Sequence, residues 1–204
     1  MIKACLQLIV NRRFCRLWKV LWANCKLARF TGWNSQVLPL ASFNRLPGIT
    51  RQSFHSSWRA LFSAAADPLI WEQHPIKDRY TVEVFKAFFR EALESGGALI
   101  AIDSRDGQVI GSSRFHGYDK EKSEIEIGWT FLARSYWGGG YNKEMKALML
   151  RHAFRFVKSV IFVVGPQNLR SQRAVERIGA VRVGSGPRPD GTGQDSFIYR
   201  ITAV

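Results

Sequence analysis

The stretch from Glu124 to Ala153 constrains the fold of this chain more than any other. Apolar residues alternate from 125 to 131, which predicts a strand. Three consecutive glycines, 138–140, predict a turn, and a helical pattern follows from Tyr141 to about Lys158. The inward stripe expected for that helix is Met145, Leu148, Met149, His152 and Phe156.

This order of strand, glycine turn and helix is typical of an anion site. The first turn of a helix carries N–H groups without intrahelical partners and a partial positive charge. Glycines just upstream let a phosphate approach the main chain closely. We therefore predict a diphosphate-binding turn, with a merely flexible connection as the alternative. The sequence lacks both Gly-Lys-Ser/Thr and G-x-G-x-x-G here, so the ligand is expected to be neither ATP nor NAD.

Charge divides the chain into two parts. The net charge of +14 is concentrated before Asp67, where ten of the 30 Lys and Arg residues and none of the 16 Asp and Glu residues lie. The remainder is only mildly basic, which disfavours a nucleic-acid-binding face on the main domain. We predict that residues 1–35 are a basic, apolar extension outside the fold and that residues 36–204 form one domain.

The extension admits three interpretations. Its Arg-rich, acid-free composition resembles an organelle transit peptide, residues 1–30 could lie weakly on an anionic membrane surface, or it is an extension without a selected role. Its apolar runs are too short to span a bilayer. All three cysteines, Cys5, Cys15 and Cys25, lie there at a spacing that fits no zinc site. We expect reduced thiols, a cytoplasmic location and no metal.

The rest of the chain predicts a mixed sheet of the α/β (α+β) class. Strands are expected at Gln36–Leu40, Ala98–Ile102, Val109–Phe115, Ser123–Leu132, Val160–Val164, Val181–Gly184 and Phe197–Ile201. Helices are expected at Ser53–Ala66, Thr81–Leu93, Tyr141 to about Lys158 and Asn168–Ile178, with Thr81 and Asn168 as N-caps and glycines after the second and fourth. Helices should cover both faces of the sheet.

Three motifs in this order resemble the GNAT superfamily of acyl-CoA-dependent N-acetyltransferases. They are Glu126-Ile127-Gly128-Trp129, Trp137-Gly138-Gly139-Gly140-Tyr141, and Asn168-Leu169-Arg170-Ser171 followed by Glu176-Arg177-Ile178-Gly179-Ala180. The similarity is closest to the subgroup that acetylates ribosomal-protein N-termini, and it covers roughly residues 36–202. The family turn reads Gln/Arg-x-x-Gly-x-Gly/Ala, whereas Ser135 stands at its first position here and Arg134 is displaced by one.

The resemblance implies acetyl-CoA as co-substrate and a splayed, mostly antiparallel sheet. Main-chain amides of Trp137, Gly138, Gly139, Gly140, Tyr141 and Asn142 would hold the diphosphate, and the backbone of Thr130, Phe131 and Leu132 would pair with the pantetheine arm. In the similar subgroup, the residues matching Asn168 and Ser171 contact the pantetheine and the sulfur. Backbone N–H near Phe131 would stabilise the oxyanion.

Attack on a thioester needs a neutral amine, so a base helps. Glu126 is the first candidate, because the family often keeps a carboxylate on this strand, and Glu124 shares its face. The alternative is that both are ordinary solvent-facing carboxylates. Ser171 is assigned hydrogen bonding to the departing thiolate; plain helix capping is the alternative for Asn168 and Ser171.

The acceptor site is expected between two loops. Trp71, Glu72 and His74 lie in the first, which borders the acceptor site in the family, and Pro187–Gln194 forms the second. His74 and Glu72 are second candidates for the base, and His116 is a weaker one. The acceptor is an amine, either a protein N-terminus or a small molecule. The competing functions are a catalytically inactive acyl-CoA-binding module and a basic nucleic-acid binder.

Overall fold

The computed structural model describes residues 4–5, 57–103, 105–187 and 195–203. The strands are β1 (Ala4–Cys5), β2 (Ala98–Asp103), β3 (Val109–Asp119), β4 (Glu124–Leu132), β5 (Ser159–Val164), β6 (Val181–Pro187) and β7 (Asp195–Thr202). The helices are α1 (Trp58–Ala65), α2 (Val82–Ser95), α3 (Tyr141–Ala153) and α4 (Leu169–Glu176). Short 3-10 helices span Pro68–Ile70 and Arg134–Tyr136.

The strands form one sheet in the order β1-β2-β3-β4-β5-β7-β6. Among the described strands only β4 and β5 pair in parallel, and the other neighbours are antiparallel. A parallel pair needs a crossover, and α3 supplies it. The predicted mixed, mostly antiparallel sheet is confirmed.

Helices cover both faces of this sheet. Alternate residues of β2 point to opposite faces, so Leu99 and Ala101 join one hydrophobic cluster and Ile100 joins the other. The first cluster contains residues of α3 and α4, among them Met145 and Val175. The second contains Leu61 of α1 and three phenylalanines of α2, Phe85, Phe88 and Phe89. The predicted two-sided covering is therefore confirmed.

The caps explain where α2 and α4 begin and end. Gly96 ends α2 with φ 63°, and Gly179 follows α4 with φ 93°, so both occupy the left-handed region that favours glycine. Asn168 caps α4, because its Oδ1 accepts from the Ser171 N–H at 3.1 Å. Thr81 stands at the N-cap of α2, as predicted, but its side chain makes no capping hydrogen bond.

Helix α3 ends earlier than predicted, at Ala153 instead of Lys158. The chain turns away there because the Lys158 N–H donates to the Ser123 carbonyl, which brings the segment to the start of β5. Phe156 is consequently 39% exposed instead of lying on the buried stripe.

Several predictions lie outside the described residues. They are the strand Gln36–Leu40, the beginning of the helix Ser53–Ala66, most of the loop Pro187–Gln194, and the boundary between residues 35 and 36. Ala4 and Cys5 pair with Asp103 and Ile102 at the sheet edge. Within the described segments, no helix is both long enough and apolar enough to cross a membrane.

Candidate active site

Strands β4 and β5 separate part-way along their length. They pair at only three positions, ending with Glu126 opposite Ile161. Beyond that point β4 stays paired with β3 as far as Leu132, and β5 stays paired with β7 as far as Val164. The two strands therefore open into a wedge between residues 127–132 of β4 and 162–164 of β5, as predicted.

A β-bulge shapes the β4 side of the wedge. Arg114 pairs with Gly128 and Ser112 with Phe131, so Ser113 alone faces two residues, Trp129 and Thr130. Trp129 has φ 50°, an uncommon backbone conformation for a large side chain. The extra residue turns the Thr130 hydroxyl towards Ser113 Oγ, at 2.8 Å.

The glycine turn stands at the open end of the wedge. Gly138 has φ 76°, and a Cβ built on Gly138 or Gly140 meets no atom within 4 Å. In the described part of the chain, the N–H groups of these three glycines donate to no main-chain carbonyl. The Trp137 N–H is occupied by the Arg134 carbonyl at 3.0 Å, and the Trp137 indole donates to the Leu132 carbonyl at 3.0 Å. The main-chain N–H groups without a carbonyl partner therefore begin at Gly138.

A buried carboxylate anchors the start of α3. Asp103 at the end of β2 is 0% exposed and accepts from the Tyr141 hydroxyl at 3.2 Å. Arg105 forms an ion pair with Asp103 at 2.6 Å and also hydrogen-bonds Tyr141. Hydrogen bonding to Arg105, first through its side chain, lowers the pKa of Asp103 to about 2. The hairpin between β2 and β3 thus fixes the first residue of the helix.

The Asp103 contact predicts a specific loss of stability in acid. Because the folded-state pKa of about 2 lies below the ordinary 3.8, the contribution of the carboxylate is complete above about pH 4 and is lost as the pH falls towards 2. We expect Asp103→Asn to lower the melting temperature at pH 7, with the difference from wild type shrinking between pH 4 and 2. Thermal unfolding across this range measures it, and a difference that does not change with pH would contradict the assignment.

Glu126 lies where the wedge begins, at the last position where β4 pairs with β5. Its side chain is 8% exposed, and Glu124 is 7% exposed, so the solvent-facing alternative is wrong for both. Glu124 is held in place, because it accepts from Ser159 Oγ at 2.9 Å and from Arg200 Nε at 2.7 Å. A Cβ built on Gly128 comes within 2.8 Å of Glu126 Oε1, so glycine at 128 leaves room for this carboxylate.

Polar groups from β3 surround Glu126 on the same face. His116 is its cross-strand partner, and the His116 ring contacts Trp129 edge-on at 4.9 Å. Burial, and then the nearby Arg114, lower the pKa of His116, so a neutral imidazole is favoured at neutral pH. Arg114 is 3% exposed between Trp129 and Phe88, and burial lowers its pKa to about 10. His116, the weaker candidate from the sequence, thus lies beside the first one.

Asn168 and Ser171 lie at the far side of the wedge, just after the carboxyl end of β5. The capping bond between them confirms the capping interpretation, and it occupies the Ser171 N–H. No hydrogen bond of the Ser171 hydroxyl is present among the described residues. The roles of both residues towards a cofactor remain predictions.

The loop predicted to border the acceptor reaches the same region. Trp71 is 2% exposed, its ring packs on Phe131 at 5.2 Å, and its indole N–H donates to the Ala65 carbonyl. The ring is therefore part of the core behind β4 and does not line an open surface. Glu72 is exposed. The His74 Nε2 lies 3.1 Å from Arg79 Nη1, and a guanidinium can only donate, so this nitrogen is already an acceptor.

Arg170 ties this loop to the glycine turn. Its guanidinium stacks on the Trp137 ring at 4.1 Å and donates to the Ile70 carbonyl at 2.7 Å. Its N–H donates to Gln73 Oε1 at 3.0 Å. The first turn of α4, the loop and the turn before α3 therefore meet across the mouth of the wedge.

A family model described as acetyltransferase (GNAT) domain matches residues 52–181, the segment that contains the wedge and the glycine turn. The chain belongs to the GNAT acetyltransferase family. No curated protein matches the sequence.

Solved GNAT structures agree with this membership. A GNAT-family acetyltransferase from Bacillus anthracis is 25% identical, with a TM-score of 0.59 over 72% of this chain and 89% of that one. Mycobacterium smegmatis RimJ in complex with CoA-disulfide is 22% identical, with a TM-score of 0.54 over 76% and 79%. A Vibrio cholerae spermidine N-acetyltransferase in complex with CoA and spermine is 14% identical, with a TM-score of 0.55 over 72% and 90%.

The geometry of this GNAT protein fits an acyl-CoA. The open space before Gly138 and Gly140, next to unpaired N–H groups, suits a diphosphate. The wedge leaves one edge of β4 unpaired for an extended, amide-containing arm. Within the described residues, no cluster of three or more His, Cys, Asp or Glu side chains could hold a metal ion.

Sequence reasoning missed one polar residue at this site, Lys146. It is 4% exposed, although the helical pattern gave no reason to place a lysine inside. The available signal was its spacing, because Lys146 follows the buried Met145 and lies one turn before Leu150.

Proposed function

We propose that this GNAT acetyltransferase is an N-acetyltransferase that moves an acetyl group from acetyl-CoA to a primary amine by direct attack in a ternary complex. The observation that carries the proposal is the wedge between β4 and β5, which opens beside free main-chain donors at the start of α3. When bound, acetyl-CoA supplies an activated acyl group as a thioester.

The main chain does most of the binding. We infer that the N–H groups from Gly138 to Asn142 hold the diphosphate, and that Thr130, Phe131 and Leu132 offer backbone groups to the pantetheine arm. The Leu132 carbonyl already accepts one hydrogen bond from the Trp137 indole, so its second lone pair is the one left for the pantetheine arm.

Glu126 is the proposed base. Its carboxylate is buried at the point where the strands separate, and this shielding from water supports the assignment. His116 is the second candidate, because it lies opposite Glu126 and its pKa is lowered. Arg114 keeps a positive charge close enough to Glu126 for the two side chains to attract each other.

Backbone N–H near Phe131 would stabilise the oxyanion, and Ser171 would hydrogen-bond the departing thiolate. Asn168 would orient Ser171 through the cap that joins them and contact the pantetheine arm. The proposed location is the cytoplasm, on the interpretation that the three cysteines are reduced.

The acceptor is proposed to be a protein N-terminus or a small amine. Glu72, exposed near Arg170, is available to attract a cationic amine, whereas Trp71 and His74 act through packing and through Arg79. A spermidine acetyltransferase among the structural neighbours makes polyamines a natural part of the acceptor panel.

The test combines binding and turnover. We expect acetyl-CoA to bind in isothermal titration, and free thiol to be released with spermidine or with peptides that carry a free α-amino group. The same peptides with blocked N-termini are the matched control. Binding without thiol release from any amine would favour the inactive acyl-CoA-binding module, and absence of binding would overturn the proposal.

A further inference from the structure

Lys146 is a buried amine that the proposed mechanism leaves without a role. It is 4% exposed, and its Nζ donates to Thr130 Oγ1 at 2.5 Å and to Ser113 Oγ at 3.1 Å. Ser113 shares a face of β3 with Phe115, which belongs to the hydrophobic cluster under α3. The amine is therefore enclosed between α3 and the sheet, directly beneath the bulge of β4.

Lys146 orders the hydroxyl groups of the bulge. Ser113 Oγ and Thr130 Oγ1 each lie 3.3 Å from the Gly128 carbonyl oxygen, and they lie 2.8 Å from each other. Because Nζ donates to both oxygens, both hydroxyl protons are left to bond within the bulge. Burial lowers the pKa of Lys146 to about 7, and the ammonium and the neutral amine both keep the two N–H groups that this arrangement needs.

The β4 segment that carries these hydroxyl contacts is held from both faces of the sheet. Thr130 points towards α3, whereas the next residue, Phe131, belongs to the cluster on the opposite face. Three aromatic side chains contact the Phe131 ring there: Trp71, Phe85 and Phe88. One edge of the segment pairs with β3, and the pairing of the other edge with β5 ends at Glu126. The unpaired edge is therefore fixed from above and below.

We propose that Lys146 is a positioning residue for acyl-CoA, which holds the bulge at Trp129 and Thr130 so that the main chain of residues 130–132 meets the pantetheine arm at the unpaired edge of β4. The inference rests on the proposed function, because the pantetheine arm has to occupy that edge. Lys146 itself touches neither the cofactor nor the reacting atoms, and it acts through Thr130.

Stability of the fold gives no reason for a lysine at this place. A buried amine is costly, and the hydrogen-bond partners of Nζ among the described residues are two uncharged hydroxyls. An apolar side chain of the same length would pack beside the Phe162 ring, which lies 5.7 Å from Nζ. A residue that breaks a rule of the core is expected where a functional site needs it. We therefore expect stability and cofactor binding to respond differently to its replacement.

The test changes each end of the contact and compares two ligands. CoA carries a diphosphate and the pantetheine arm, whereas ADP carries a diphosphate without the arm. Lys146→Met keeps the length of the side chain and removes the donor, and Thr130→Val keeps the shape and removes the acceptor. Each variant should bind CoA about tenfold more weakly, since a segment that is no longer held must be ordered on binding. Affinity for ADP should stay within about twofold of wild type, because the glycine turn is unchanged.

Three further measurements separate positioning from folding. The double variant should be no weaker than either single variant, because the two side chains act through one contact. Lys146→Met should melt no lower than wild type, and the KM for acetyl-CoA should rise by a larger factor than kcat falls. Arg151→Met is the matched control, since it removes an exposed cation from the same helix, and it should leave both affinities within about twofold.

Isothermal titration of wild type and variants decides the outcome. If wild type binds CoA and both single variants keep that affinity, this inference is overturned and the proposed function stands. Equal losses for CoA and ADP would also overturn it, because they would indicate a general disturbance of α3. Thr130→Val decides alone if Lys146→Met does not fold. If wild type does not bind CoA, the inference and the proposed function are both overturned.

Discussion

Glu126→Gln is expected to lower kcat for amine acetylation by about 10²-fold or more, with acetyl-CoA affinity close to wild type. General-base catalysis contributes on this scale, and glutamine keeps the shape of the side chain without its basicity. The main-chain donors of the glycine turn are unchanged, so binding should persist. Steady-state kinetics with the best acceptor of the panel, and titration with acetyl-CoA, measure the two effects separately.

Two further variants make this result specific. Glu124→Gln removes a carboxylate of similar burial two residues earlier, where Arg200 and Ser159 hold it. It should lower the melting temperature and leave kcat within about threefold of wild type. Gly128→Ala keeps Glu126 but places a Cβ 2.8 Å from its Oε1, so we expect an intermediate loss of about tenfold. Equal losses in Glu124→Gln and Glu126→Gln would argue against a base at 126.

Gly138→Ala is expected to weaken CoA binding by about tenfold or more. Its φ of 76° is costly for alanine, and the new Cβ projects into the open space before the N–H groups of the turn. Isothermal titration with CoA measures the change. The effect should appear in affinity and in KM for acetyl-CoA.

Gly107→Ala is the control for backbone strain. Gly107 has the same φ of 76°, and a Cβ there also meets no atom within 4 Å, but it lies in the hairpin between β2 and β3. Both variants should lose a similar amount of stability, about 1–2 kcal/mol. Only Gly138→Ala should lose affinity, so an equal loss of CoA affinity in both would contradict a phosphate site at the turn.

The sequence predicted the architecture because the local signals agreed with each other. Alternation along β4, the glycines after α2 and α4, and Asn168 at the start of α4 each mark an element or its end. The end of α3 was the main error in this part, since the apolar pattern continues to Phe156 while the chain leaves the helix to bond with Ser123.

The site was less predictable, because it depends on contacts between distant residues. The bulge puts Trp129 at a positive φ that its residue type disfavours, and this moves Thr130 to the face where Lys146 lies. Trp71 could be assigned to a loop, yet not to the core, because its burial comes from Phe131 and α1. The proximity of His116 to Glu126 follows from strand register, which turn and pattern signals specify only partly.

The central claim is that the main-chain N–H groups after Trp137 bind the diphosphate of CoA. Amide NMR spectra of the isotope-labelled chain test it directly, by comparing CoA with pantetheine, which lacks the diphosphate. We predict that CoA shifts the amide signals of Gly138 to Asn142 together with those of Thr130 to Leu132. Pantetheine should shift only the β4 group, and at higher concentration. If CoA binds and leaves the signals of Gly138 to Asn142 where they were, the account is contradicted.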